Sequence, residues 1–96
     1  MPINYDRVAD IRMEAARMLK EDGWCTGRFR AGPQRCLIAA LSDATCKLEG
    51  TADDFGEAVH LTIAAASLAP KSHHHLMTWQ DQPGRKLADV LAVLGS

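Results

Sequence analysis

Met77-Thr78-Trp79-Gln80-Asp81-Gln82-Pro83-Gly84-Arg85 leads straight into Leu87, Val90, Leu91 and Leu94. Those four apolar residues stand at i, i+3, i+4 and i+7, the spacing of one face of an α-helix. Pro83-Gly84 supplies a turn, because proline fixes φ and glycine accepts φ > 0 at no steric cost. Trp79 has the largest apolar area nearby and is expected to plug the core. Asp81 is expected to accept hydrogen bonds from the turn or to cap the helix that follows. The stretch therefore reads as the closing piece of a helical fold, received by the helices before it.

Those helices announce themselves further up the chain. Asn4 is placed to cap a first helix over Tyr5–Asp22, whose stripe is Val8, Ile11, Ala15, Met18 and Leu19. Gly23 ends it where a left-handed residue is common. Residues 24–32 are rich in glycine and polar groups and read as an irregular segment packed by Trp24, with room for a short extended piece. Pro33 suits the first turn of a second helix carrying Leu37, Ala40, Leu41, Ala44 and Leu48, expected to be the most buried. Gly50 stops it. Thr51-Ala52-Asp53-Asp54 then makes a near capping box for a third helix. That helix is apolar nearly all round, with Phe55, Val59, Thr62 and Ala66 on one stripe and Ala58, Leu61, Ala65 and Leu68 on the next, and should be buried. Pro70 ends it, and residues 71–75 form a polar connector.

Composition agrees with helices. The chain of 96 residues is 47% hydrophobic but only 5% aromatic, and frequent alanine lets helices approach closely. One domain spanning residues 1–96 is expected, burying roughly 60–65% of the unfolded surface. The fold class is all-α: a compact bundle of about four helices. A net charge of −1 argues against nucleic-acid binding through bulk electrostatics. No apolar run reaches bilayer length, so no membrane partner is expected. Asp6, Arg7 and Asp10 occupy the place of a signal-peptide core. With that, the odd number of cysteines (Cys25, Cys36 and Cys46) reads as reduced thiols in a cytoplasm. Cys36 looks like a small buried hydrophobe and Cys25 like the most accessible thiol.

Gly23-Trp24-Cys25, then Arg35-Cys36-Leu37-Ile38-Ala39-Ala40-Leu41, then Trp79-Gln80-Asp81 with Pro83-Gly84-Arg85 and Val90-Leu91 occur in that order. Together they resemble a family of small helical domains of unknown function from actinobacteria and their phages. That family shows a Gly-Trp-Cys element, a Cys-x-x-Gly-Ala-Leu helix and a Trp-Asn-Asp…Pro-Gly-Arg…Val-Leu ending. Ala39 stands in place of the family's glycine, Gln80 in place of its asparagine, and Lys86 in place of its capping threonine. The resemblance implies an actinobacterial or actinophage protein and carries no activity with it.

Few constellations suggest chemistry. His73-His74-His75 cannot converge on one metal; in an extended segment only His73 and His75 share a side. With Cys25 they are the alternative metal site, but no Cys-x-x-Cys or His-x-x-x-His spacing supports them. Metal and cofactor are accordingly expected to be absent. Cys25, a histidine and Asp81 can be drawn as nucleophile, base and orienter. However, Trp24 precedes Cys25, whereas the tryptophan follows the cysteine in papain-like enzymes. No catalytic residue is assigned. Arg28, Phe29 and Arg30, extended by Arg85, form the basic-aromatic cluster that a binding surface would use. Trp24, Trp79 and Asp81 are assigned to structure. The leading expectation is a non-enzymatic module that binds a host bacterial protein, with self-association open. The alternative is a small enzyme or metal-binding protein using Cys25 with histidines.

Overall fold

A computed structural model of the protein describes residues 3–66 and 73–96, the side chains of 73 and 74 excepted. The chain is all-α, with five helices and one hairpin of two two-residue strands among the described residues. Helix α1 (Tyr5–Asp22) starts as its cap predicts, with Asn4 Oδ1 accepting the Arg7 N–H at 3.1 Å. It buries Val8, Ile11, Ala15, Met18 and Leu19 together with Ala16. Gly23 follows at φ +102°, a conformation that side chains rarely adopt.

Strands β1 (Arg30–Ala31) and β2 (Gln34–Arg35) pair antiparallel, Arg30 with Arg35 and Ala31 with Gln34. Gly32 and Pro33 form the turn between them. Pro33 therefore does not open the second helix. With Gly32 at φ +61°, the pair makes a turn before the chain can enter a helix. Trp24 adds a parallel bridge to Arg35, so the irregular segment is fastened along both edges.

Helix α2 (Leu37–Lys47) begins four residues after Pro33, with Cys36 as N-cap. It is the best buried of the helices: Leu37, Ile38, Ala39, Ala40, Leu41, Ala44 and Thr45 are all out of solvent. Its C-terminus closes with the Gly50 N–H on the Thr45 carbonyl at 2.8 Å and the Glu49 N–H on that of Cys46 at 3.1 Å. This is the paired bonding of a Schellman end. The left-handed residue is Glu49, at φ +56°. Space is tight at Gly50 instead: a Cβ there would lie 3.1 Å from the Thr45 methyl and 3.2 Å from Ile11 Cδ1, so those side chains would have to give slightly.

Helix α3 (Ala52–Ala65) carries the expected capping box, Asp54 N–H on Thr51 Oγ1 and Thr51 N–H on Asp54 Oδ2. Arg7 approaches the same carboxylate at 3.8 Å and ties α3 to α1. Burial all round is not observed. Asp54, Ala58, Val59, Thr62 and Ile63 are buried, while Ala64 and Ala65 face solvent. An alanine has too little apolar area to demand burial. Leu68, Pro70 and Lys71 lie outside the described residues.

Helix α4 (His73–Gln80) takes in residues 73–75, read from the sequence as part of a polar connector, so the described residues hold five helices where about four were expected. Leu76 and Gln80, one turn apart, are both fully buried. Helix α5 (Leu87–Val93) buries Val90 and Val93, with Leu94 just beyond and Leu87 and Leu91 half-buried. Its buried edge is thus rotated toward Val93. Arg12 on α1 holds the end of α5, donating to the Val93 carbonyl at 2.6 Å. Helix α2 lies against α1, α3, α4 and β2, and α5 rests on α3. Among the described residues no helix is long and apolar enough to cross a membrane.

This packing sets a stability ranking. Leu41→Ala, on the central helix, is expected to cost about 2–5 kcal/mol, and Ala64→Ser to stay within about 0.5 kcal/mol of the native value. Urea melts of both variants check it; a large loss from Ala64→Ser would mean that α3 presents its alanine face inward.

Candidate functional site

The stretches singled out in the sequence meet at one side chain. Gln80 is fully buried at the C-terminal end of α4. Its Oε1 accepts two hydrogen bonds of 2.9 Å, from Trp24 Nε1 and from the Leu37 N–H. The latter is a first-turn donor of α2 that has no partner inside its own helix. Nε2 donates to Asp81 Oδ1 at 2.6 Å and more weakly to the Cys25 carbonyl at 3.5 Å. The amide thereby uses both donors and both acceptor directions.

Asp81 does not cap the helix that follows. Its Oδ1 reaches the Gly27 N–H at 3.0 Å and ties the 26–29 loop to the end of α4. Helix α5 is served instead by Asp89, whose carboxylate accepts the Lys86 N–H at 2.9 Å. Cys36 does more than fill space: its Sγ accepts the Ala39 N–H at 3.3 Å, and its own N–H donates to the Phe29 carbonyl at 2.8 Å. Trp79 is half-buried against the core, with the Arg85 guanidinium 4.0 Å above its ring. Arg85 also donates to the Trp79 carbonyl at 3.0 Å and to Gln82 Oε1 at 3.1 Å.

Above this knot the 26–30 loop is held from below and open outward. Phe29 is 59% exposed although its carbonyl is hydrogen-bonded. Arg28 is exposed and has no ion pair among the described residues. Arg30 is committed elsewhere: it clasps Asp43 on α2 with both terminal nitrogens, one at 2.7 Å. Arg35 adds a bond of 2.7 Å to the same carboxylate and another of 2.7 Å to Asp22. Hydrogen bonds from Arg30 and Arg35 lower the Asp43 pKa to about 2. The four sequence candidates therefore divide. Arg30 and Arg85 brace the scaffold, while Arg28 and Phe29 are exposed, Arg28 without an ion pair among the described residues.

A family of unknown function, DUF6197, matches residues 4–96. The chain belongs to that family. Neither the curated proteins nor the solved structures give a match. Within the DUF6197 match the described residues form five helices strapped by the Gln80 knot, with the 26–30 loop projecting from it.

The thiols of this DUF6197 chain are ordered differently from the sequence expectation. All three are unpaired, but Cys25 is buried, its Sγ directed at the Arg28 and Phe29 carbonyls, and Cys46 is the exposed one. Burial pushes the thiol pKa of both Cys25 and Cys36 up, which disfavours the thiolate. Helix α4 runs from His73 onward, so residues 73–75 are not the extended segment in which His73 and His75 were expected to share a side. Among the described residues no three His, Cys, Asp or Glu side chains gather into a metal-binding group.

Two outcomes follow. Gln80→Leu leaves the Trp24 and Leu37 donors unpaired and should lower stability by about 1–3 kcal/mol in chemical denaturation; a neutral result would mean that the amide is dispensable. Under native alkylation Cys46 should be modified first, with Cys25 and Cys36 reacting only as the protein opens. Peptide mass mapping over time checks the order.

Proposed function

We propose that this protein is a non-enzymatic interaction module that works in the cytoplasm of an actinobacterium, carried by the host chromosome or by a phage, and docks a host protein through its 26–30 loop. The observation that carries the reading is the exposed Phe29 beside Arg28, which has no ion pair among the described residues, on a loop held by backbone bonds at Gly27 and Phe29. Aromatic and arginine side chains most often dominate binding energy. A preformed backbone spares the ordering cost that a mobile loop would meet on binding. Three unpaired thiols fit a cytoplasmic setting. The partner surface that suits this pair is an apolar pocket with a carboxylate at its rim, since Arg28 can form a bidentate pair there.

Replacing Arg28 and Phe29 together by alanine should leave the melting temperature unchanged while weakening capture of the partner from an actinobacterial lysate at least about ten-fold. Arg30 is left intact so that the Asp43 brace survives. Undiminished capture by this double variant would place the contact surface elsewhere.

A further inference from the structure

The outward side of α1 carries a pattern that neither the core nor the loop uses. Asp6, Asp10, Met13, Arg17 and Lys20 recur at steps of four, three, four and three residues, which keeps them on one stripe of the helix. All five are exposed, and Met13 at 64% is the most exposed large hydrophobic among the described residues. Along the stripe the order is acid, acid, apolar, base, base. A sequence of charges in that order is complementary to its own reverse. Residues 6 and 20 are equidistant from residue 13, and 10 and 17 nearly so.

We infer that this face of α1 is the interface of a two-fold homodimer, in which α1 packs antiparallel on α1 of a second copy. Met13 meets its counterpart at the axis, Asp10 faces the other copy's Arg17, and Asp6 faces the other copy's Lys20. Each contact occurs twice, as an isologous interface requires. A parallel arrangement would set like charges opposite each other at both ends and is disfavoured. A partner of uniform charge would be repelled by one half of the stripe, so the pattern selects a second copy over such a partner.

The surface has a seat for the central contact. An open groove of about 520 Å³ lies along it, lined by Asp10, Met13, Glu14, Arg17, Lys20 and Leu48. Leu48 is half-buried and supplies apolar wall. Methionine, unbranched and polarizable, adapts to such a groove from the opposite copy. Arg17 already binds Glu14 and Glu21 on its own helix. Its guanidinium has five N–H donors, so an Asp10 carboxylate can be added without breaking those pairs.

The dimer should be weak and salt-sensitive. Helix α1 has 18 residues and is about 27 Å long, and one face of it is small beside a standard interface. A Kd on the order of 10–1000 μM fits that size.

Sedimentation equilibrium tests the inference, with thermal melts to confirm folding. The native protein should dimerise at low salt, with association weakened at least about ten-fold on moving to about 0.5 M salt. Asp10→Lys and Arg17→Glu should each abolish self-association, because each places like charges opposite one another. An equimolar mixture of the two variants should restore it, since the introduced Lys then faces the introduced Glu at one crossing and the native Arg17 faces the native Asp10 at the other. If either variant melts early, Asp6→Lys and Lys20→Glu make the same test at the outer pair. A native protein that stays monomeric at about 1 mM in low salt overturns the inference, as does a dimer indifferent to these charges or a mixture that stays monomeric. None of these substitutions touches the 26–30 loop, so the outcome is separate from that of the loop reading.

Discussion

One buried amide governs how the segments of this chain meet. Gln80 lies 43 residues from Leu37, 55 from Cys25 and 56 from Trp24, and it bonds to all three. Each partner is a polar group that would otherwise be stranded away from water, and stranding one costs more than a single hydrogen bond gains. The constraint is therefore mutual. Helix α2 needs a partner for its first N–H, the Trp24 ring needs one for its indole N–H, and α4 must stop where its last side chain can serve both. Apolar contacts alone would let α4 slide along the groove it occupies. A fully occupied amide fixes its position and orientation.

The irregular segment gets its shape from the same point. Between Gly23 and Cys36 the chain returns on itself, with the Cys25 N–H on the Arg35 carbonyl and the Arg35 N–H on that of Gly23. Asp81 holds the front of the loop and Asp43 the back, the latter through Arg30 and Arg35. The salt bridges are partly exposed and contribute little each, but they share one carboxylate and so act on the same strand pair. Bracing from both sides makes Phe29 informative. An aromatic ring with no inward place to go, on a backbone with no freedom to turn it, is presented outward by the geometry around it.

How much of this was legible depended on what kind of signal each part sends. Caps with oxygen side chains were readable, and Asn4, Thr51 and Asp54 act as such residues should. Stripes of leucine and isoleucine on α1 and α2 were readable because their burial is worth several kcal/mol. Helix α4 was not. Its buried residues include Leu76 and a glutamine, and a buried polar group breaks the hydrophobic period that identifies a helix. Cys36 was hidden as a cap because sulfur is a weak acceptor and cysteine is not among the usual capping residues. Pro33 misled because proline after glycine serves a turn as well as a helix start, and only the pairing of Ala31 with Gln34 decides between them. Of the candidate surface, the residue types in the loop were visible from composition. That Arg30 is a brace was not, because its partner Asp43 lies on α2 and meets it only once the hairpin has folded back.

A division of labour follows from where the apolar area went. Helix α1 spends Val8, Ile11, Ala15 and Leu19 on the core, and each is fully buried. What remains on its other side is Met13 among charges, a face too polar to be core. The loop is the reverse case. It has no inward apolar side of its own, and every hydrogen bond it makes through its backbone frees the Arg28 and Phe29 side chains from structural duty. One surface is thus set by helical periodicity and the other by backbone satisfaction. They share no residue, so a change that disables one leaves the packing beneath the other intact.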